Sequence, residues 1–211
     1  MKITAVETLQ ADAGWRMFSF LKVTTDDGIV GWSEFNESFG SAGLSDVIRL
    51  LSPALIGRDP RMFEQVTQHL HVLTRQSRGG LNQQAIAAIE NALLDVTGKA
   101  YGVPVYALFG GPIRDRIPVY WSHFGTYRVR SAELMGVKPL RSHDDLARHA
   151  QEVKALGFRA LKTNIMPEAN GTLSGYVPGF GRTAGWPELN WDSRLTAGVT
   201  RQLMAIRDAI G

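Results

Sequence analysis

The first 35 residues carry hydrophobic and polar residues in a strand-like pattern. Three segments are rich in β-branched and aromatic residues, namely residues 3–9, 17–25 and 29–35. Asp27-Gly28 supplies a hairpin turn between the second and third segments. The pattern predicts a three-stranded antiparallel sheet. A short loop between the first two strands holds Trp15, which we expect to be exposed.

The spacing of apolar residues becomes helical after residue 59. Asp59-Pro60 is a typical helix start, and Asn82 is the predicted N-cap of a second helix that ends at Gly102. In both helices the apolar residues lie three or four positions apart. They are Phe63, Val66, Leu70 and Leu73, then Ile86, Ile89, Leu93, Val96 and Ala100. Strands followed by helices in separate blocks predict an α+β unit.

Strands and helices alternate from about residue 114. Residues 116–124 and 158–165 are predicted strands, and Ser142 is the predicted N-cap of the helix between them. A further helix, capped by Ser193 or Asp192, places Val199, Leu203, Ile206 and Ile210 on one apolar face. This order is typical of a parallel α/β unit.

Two connections are longer than usual, residues 125–141 and 166–191. Long loops in compact domains often serve as lids or binding loops. A surface insertion without a role in binding is an equally good interpretation.

Composition excludes several kinds of function. The chain of 211 residues has no cysteine, so disulfides, thiolate nucleophiles and cysteine-ligated metals are absent. Its net charge is only +3, and its densest positive stretch, from Arg128 to Arg141, is interrupted by Glu133. We therefore expect no nucleic-acid partner. No apolar run suits a signal sequence or the ~18-residue minimum of a membrane span, so we expect a cytoplasmic protein without a membrane partner.

Two longer stretches resemble a known family. They are GWSEF, residues 31–35, and AIENALLDVTGKAYGVPVYALFGGPIRDRIPVY, residues 88–120. Both resemble the mandelate racemase/muconate lactonizing enzyme branch of the enolase superfamily. The resemblance implies an α+β capping domain over residues 1–113, followed over residues 114–211 by the start of a TIM-type (β/α) barrel. The implied active site lies between the two.

The length of the second region is too short for a whole barrel of this type. A TIM-type barrel takes roughly 200 or more residues, whereas residues 114–211 supply two strand–helix units. Two parallel strands cannot close a barrel, and their edges would lack partners. We therefore expect the chain to be the N-terminal portion of a larger enzyme.

The resemblance also implies a chemistry. Family members abstract the proton α to a carboxylate, a Lys or His serves as the base, and Mg²⁺ stabilises the enediolate. The acidic metal ligands of the family follow later barrel strands, so we assign no metal ligand to this sequence. We expect the Mg²⁺ ligands beyond residue 211.

The strand at residues 158–165 carries the predicted catalytic residues. Side chains alternate across a strand, so Lys162 and Asn164 share one face while Leu161 and Ile165 share the other. The resemblance places the first face at the barrel mouth, where family members commonly have Lys-x-Lys with the second lysine as a base. This sequence has Asn164 there, and a carboxamide cannot act as a base near neutral pH. The alternative interpretations are a strand-end lysine that reaches solvent and an asparagine that bonds its own backbone.

Five further residues are predicted to bind substrate. His123 lies near the end of the first parallel strand, with Tyr127 and Arg128 just behind it, and an arginine can clamp a carboxylate. By resemblance, Trp15 and Arg16 lie in the loop that closes over the barrel mouth. Structural roles are the alternative for all five.

The absence of a lysine base at residue 164 favours one reaction over another. It fits acid-sugar dehydratases of the family, which can use a histidine base, and the expected substrate is a small carboxylate, a sugar acid. A racemase or epimerase of an α-substituted carboxylate is the alternative within the family, and a non-catalytic relative with a role in assembly is a third. A homo-oligomer is expected.

Overall fold

The computed structural model describes residues 1–38, 40–176 and 192–211. The chain divides into two compact units, Met1–Asp115 and Arg116–Gly211. None of the helices formed by the described residues is long and apolar enough to span a membrane.

A three-stranded antiparallel sheet opens the first unit, as predicted. Its strands are β1 (Ile3–Asp12), β2 (Met17–Thr25) and β3 (Val30–Phe35), in the order β1-β2-β3. Leu21 and Val23 are fully buried, and alternate residues of β2 therefore face the core of the unit.

Three helices complete the first unit: α1 (Leu44–Leu51), α2 (Phe63–Leu73) and α3 (Gly80–Tyr101). Short 3₁₀ turns follow at Ser52–Ala54 and Val105–Phe109. The core contains Ile48 of α1, Leu70 of α2 and Ile89 of α3, together with the buried face of the sheet. α1 was not predicted from the sequence.

Both predicted helix starts in this unit are wrong. α2 begins at Phe63 rather than at Asp59. Instead, the Asp59 carboxylate accepts the backbone N–H of Arg61 at 3.0 Å and pairs with its guanidinium, and these bonds lower the pKa of Asp59 to about 2. Asn82 lies inside the first turn of α3, where its side chain donates to the carbonyl oxygen of Ser77 rather than capping the helix. The predicted end at Gly102, which has φ +68°, is confirmed.

The second unit is built on two parallel strands, β4 (Trp121–Phe124) and β5 (Leu161–Thr163). Both are shorter than predicted. In the described part of this unit the helices are α4 (Thr126–Arg130), α5 (His143–Ala155) and α6 (Ser193–Ile210). A small hairpin of β6 (Glu168–Ala169) and β7 (Thr172–Leu173) follows β5. The buried core lies between the sheet, α5 and α6, with Phe124, Leu146, Val153 and Ile206.

The helix caps of this unit follow the sequence signals. Ser142 and Asp145 form a reciprocal capping box at the start of α5, which confirms the predicted cap. Asp192 is the cap of α6, and its carboxylate accepts the N–H of Leu195 at 2.7 Å. Of the two long connections, residues 125–141 contain α4 and residues 166–176 contain the hairpin. The rest of the second connection, residues 177–191, lies outside the described residues.

Candidate active site at the ends of two parallel strands

β5 presents Lys162 on the face opposite to the core. Leu161 packs against the buried core of the second unit, and the hydroxyl of Thr163 accepts a hydrogen bond from Gln202 of α6. Because neighbouring side chains point to opposite faces of a strand, Lys162 lies on the other face, where it is exposed. Among the described residues, no ion pair with Lys162 is formed.

A bulge in β4 sets two residues against Lys162. Trp121 pairs with Leu161 and Phe124 pairs with Thr163, so three steps along β4 match two along β5. Ser122 and His123 therefore both lie opposite Lys162 in the register. His123 has φ +52°, which is uncommon for a residue with a Cβ. Bulges of this kind re-aim side chains and are frequent next to active sites.

His123 is in contact with Tyr127. The ring centroids are 5.2 Å apart with a tilt of 41°. Tyr127 lies in α4, which begins directly after the end of β4. The structure thus brings together two of the predicted substrate-binding residues, one in the strand next to β5 and one in the helix that follows that strand.

Asn164 follows directly after β5 and is half-buried. Its backbone carbonyl accepts from Gln202 Nε2 at 2.8 Å and from Thr163 Oγ1 at 3.0 Å. Within the described residues, its side-chain carboxamide forms no hydrogen bond with another side chain or with the backbone. The side chain is therefore available to a ligand, as a donor and as an acceptor.

Gln202 is a residue of this region that sequence reasoning missed. It is 1% exposed and forms hydrogen bonds with three groups at and just beyond the end of β5. Its Nε2 group donates to Thr163 Oγ1 and to the Asn164 carbonyl, each at 2.8 Å, and its Oε1 accepts the N–H of Met166 at 2.9 Å. The sequence signal was a polar residue between two apolar positions of α6. The predicted apolar face of α6 is confirmed at Ile206 and Ile210 and is wrong at Leu203, which is 49% exposed while Gln202 is buried.

Arg128 is held by side chains of α5. Its Nη1 group lies 2.9 Å from Glu152 Oε2 and 3.3 Å from His149 Nδ1. His149 is buried, and its ring stacks on Phe124 with centroids 4.8 Å apart. Burial lowers the pKa of His149, and this outweighs the opposing effect of Glu152. The hydrogen bond with His149 lowers the pKa of Glu152, and Arg128 acts in the same direction.

Trp15 and Arg16 belong to the first unit, in the loop between β1 and β2. The Arg16 guanidinium lies 3.8 Å from the ring centroid of Phe18, and its Nη2 group lies 2.6 Å from Glu34 Oε1. Trp15 meets Phe18 edge to face at 5.6 Å. The charge of Arg16 is therefore matched within the sheet, and Trp15 is the more exposed of the two.

A Mg²⁺ site in a protein requires oxygen ligands, carboxylates above all, gathered at one point. Across residues 1–38, 40–176 and 192–211, no three His, Asp or Glu side chains come together in a way that could hold a metal ion. The described residues therefore do not fit a Mg²⁺ site.

Comparison with known families identifies the first unit. Residues 3–110 match the model of the mandelate racemase/muconate lactonizing enzyme N-terminal domain. The chain belongs to this family. The capping domain and the enolase-superfamily fold predicted from the sequence are thereby confirmed.

Relatives of this mandelate racemase/muconate lactonizing enzyme family member carry different names. A D-galactonate dehydratase family member from Streptomyces bingchenggensis is 34% identical over 99% of this chain and 49% of its own length. A D-galactonate dehydratase from Pectobacterium atrosepticum is 41% identical over 66% of this chain and 35% of its own length. The chain therefore spans about half, or less, of the curated relatives it matches.

A solved structure covers the whole of this family member. It is a Burkholderia xenovorans protein assigned as an L-alanine-DL-glutamate epimerase, solved with magnesium and fumarate, at 43% identity and a TM-score of 0.91. This chain corresponds to 52% of that structure. The relatives thus include proteins named for elimination and for epimerisation.

Proposed function

We propose that the protein is an acid-sugar dehydratase, which removes the proton α to a carboxylate and eliminates the β-hydroxyl as water. The observation that carries this proposal is the pair Lys162 and Asn164 at the end of β5. A cation is retained on the exposed face of the strand, and a neutral amide stands where a second lysine would provide a base. The names of the D-galactonate dehydratase relatives support the same reaction.

Lys162 is proposed to stabilise negative charge on the substrate. Abstraction of the α-proton moves charge onto the carboxylate oxygens, and an ammonium aimed at them lowers the free energy of that state. The exposure of Lys162 and its lack of an ion pair with a described residue support this role. The β4 bulge sets His123 opposite Lys162 in the register, and the ring of His123 contacts Tyr127.

Asn164 is proposed to hold a hydroxyl or carboxylate oxygen of the sugar acid. Its carboxamide forms no hydrogen bond with a described residue, and this and its partial burial support the role. Since an amide does not take up a proton near neutral pH, the α-proton passes to a base elsewhere in the protein. The β-hydroxyl leaves with a proton as water, and the enol product becomes a 2-keto-3-deoxy acid.

The other five predicted residues are proposed to take different parts in substrate binding. His123 and Tyr127 are the best-placed candidates for substrate hydroxyls, because His123 lies opposite Lys162 in the register and its ring contacts that of Tyr127. Arg128 is engaged by Glu152, so a substrate carboxylate would have to compete with that ion pair. Trp15 and Arg16 are proposed to select substrate from the capping loop, with Trp15 contributing the exposed surface.

A requirement for Mg²⁺ is part of the proposal for the whole protein. The relative that was solved with magnesium and fumarate supports it. When bound, the ion would stabilise the enediolate. The described residues of this chain supply binding and orientation only.

Epimerisation is the second candidate function. The B. xenovorans relative named as an epimerase is 43% identical to this chain, which favours this reaction. An epimerase that works on both faces of the α-carbon needs a base on each, and Asn164 cannot be one of them. The base on that face would then have to come from another residue.

The two functions are separated by one experiment. The protein, as its organism produces it, is incubated in D₂O with Mg²⁺. The panel of candidate substrates contains sugar acids and N-acyl or dipeptide carboxylates. Proton NMR follows the products. We expect a 2-keto-3-deoxy acid from at least one sugar acid. Deuterium uptake at the α-carbon with inversion and without elimination would replace the dehydratase proposal by the epimerase.

A further inference from the structure

The end of β5 has few hydrogen bonds of its own. The strand is three residues long, and its pairing with β4 ends at Thr163. Lys162 therefore lies one residue before the last paired position, and Asn164 lies one residue beyond it. Strand ends with so little pairing open readily, whereas a binding constellation requires its side chains to stay in one geometry.

We infer that Gln202 is a positioning residue, which fixes the end of β5 and thereby sets where Lys162 and Asn164 point. A single buried carboxamide bonds to the hydroxyl of Thr163, the carbonyl of Asn164 and the N–H of Met166. These three groups lie on both sides of Asn164. The backbone around the site is thus held from α6, where α6 packs on the core through Ile206.

The hydrogen bonds account for why a glutamine lies in this core. A buried amide is unfavourable unless its groups are bonded. Both N–H donors and the oxygen of Gln202 have partners at 2.8–2.9 Å. A leucine or methionine of similar size would fill the same space and leave the Asn164 carbonyl with only Thr163, and the Met166 N–H without its acceptor. The inference rests on the proposed function only where activity is measured.

Gln202→Met and Gln202→Glu separate the donor and acceptor roles. Gln202→Met removes both, so the Met166 amide should exchange with solvent at least ~10-fold faster. Gln202→Glu keeps the oxygen that accepts from Met166, so protection there should be retained. Its carboxylate cannot donate to Asn164, but a protonated carboxyl can. The ratio of its kcat to that of the unsubstituted protein should therefore rise as the pH falls, while the ratio for Gln202→Met stays constant.

Ile206→Ala is the matched control. Ile206 is buried on the same helix, four residues further on, and its side chain has no polar group that could bond to the strand end. This substitution should destabilise the second unit. The exchange rate of the Met166 amide relative to neighbouring amides should stay unchanged, and so should kcat. For Gln202→Met we expect kcat to fall by up to ~10²-fold in the naturally produced protein, as is typical of a misplacement of about 1 Å. KM should change less.

The outcomes distinguish this inference from the proposed function. If Gln202→Met leaves Met166 exchange as in the unsubstituted protein, the inference is overturned whatever reaction is catalysed. It is also overturned if exchange accelerates and kcat falls no more than in Ile206→Ala. If the sugar-acid panel yields no product, the proposed function fails, and kcat is then taken from whichever carboxylate of the panel is turned over. If no carboxylate is turned over, NMR relaxation measures the backbone order parameters of Lys162 and Asn164. Order parameters in Gln202→Met equal to those of the unsubstituted protein would contradict the inference.

Discussion

Arg128 Nη1 lies 2.9 Å from Glu152 Oε2, and both side chains also contact Nδ1 of the buried His149 ring. The three side chains join α4 to the middle of α5, behind Phe124 at the end of β4. The cluster thus supports the strand end that carries His123. It also gives the second unit a titrating group inside its core.

His149 should make the second unit less stable in mild acid. Burial lowers its pKa below the ordinary value of 6.5, so the unfolded chain takes up a proton at a higher pH than the folded chain. Stability is therefore fully present above about pH 6.5 and is lost as the pH falls towards the folded pKa. Glu152, with a pKa lowered from 4.5, adds a further loss at lower pH. Hydrogen exchange of buried α5 amides at about pH 7.5 and pH 5.5 measures this change.

The matched variants are His149→Phe and His71→Phe. A phenyl ring can keep the stacking on Phe124, and the Arg128–Glu152 pair is retained. His149→Phe should remove the loss of stability of the second unit near pH 6. His71→Phe, in the first unit, should preserve that loss. Equal dependence in both variants would assign the acid sensitivity to other groups.

Gly31→Ala should destabilise the first unit strongly. A Cβ at Gly31 would lie 2.3 Å from the carbonyl oxygen of Ala92 and 2.4 Å from Val96 Cγ2, so α3 would have to move away from β3. Overpacking of a core typically costs ~1–3 kcal/mol, and backbone contact puts this site at the upper end. Urea unfolding measures the loss. The additional substitution Val96→Ala relieves only the side-chain contact, so it should restore only part of the lost stability.

The elements that the sequence predicted are those with local signals. The antiparallel sheet, the capping box at Ser142 and the helix end at Gly102 each depend on residues close together in the chain. α1 was missed because its N-cap is Gly43 and no side chain caps it. Asp59-Pro60 has the residues of a helix start, but the Asp59 carboxylate accepts the N–H of Arg61 in a turn before α2.

The site was predicted only as far as strand alternation reaches. The exposed face of Lys162 follows from the position of Leu161 in the core. The bulge at His123 and the burial of Gln202 depend on the pairing of β4 with β5 and on the rotation of α6. Since Gln202 and Leu203 fit an apolar stripe equally well by spacing, periodicity alone could not decide which one faces the core.

Lys162→Met should abolish most activity and leave the fold intact. The side chain is exposed and no salt bridge to it is formed among the described residues, so stability should change by no more than ~0.5 kcal/mol. Loss of one group that stabilises developing charge typically lowers kcat by ~10²–10³-fold. Lys138→Met, at an exposed lysine before α5, is the control. Similar kcat values for the two variants would exclude Lys162 from the site.

Asn164→Lys should add a second base, on the strand face that carries Lys162. The hydrogen bonds at this residue involve its backbone carbonyl, so substitution of the side chain leaves the contact with Gln202 in place. If Asn164 faces the substrate, the new amine lies on the same strand face as Lys162 and can exchange the α-proton with solvent. We expect deuterium uptake at the α-carbon of recovered substrate in D₂O, together with slower elimination because the amide contact is lost. Asn164→Leu should slow elimination without deuterium uptake, since it removes the contact and adds no base. If both variants eliminate water at the original rate and neither promotes uptake, Asn164 does not contact the substrate, and the argument from its carboxamide to a dehydratase is wrong.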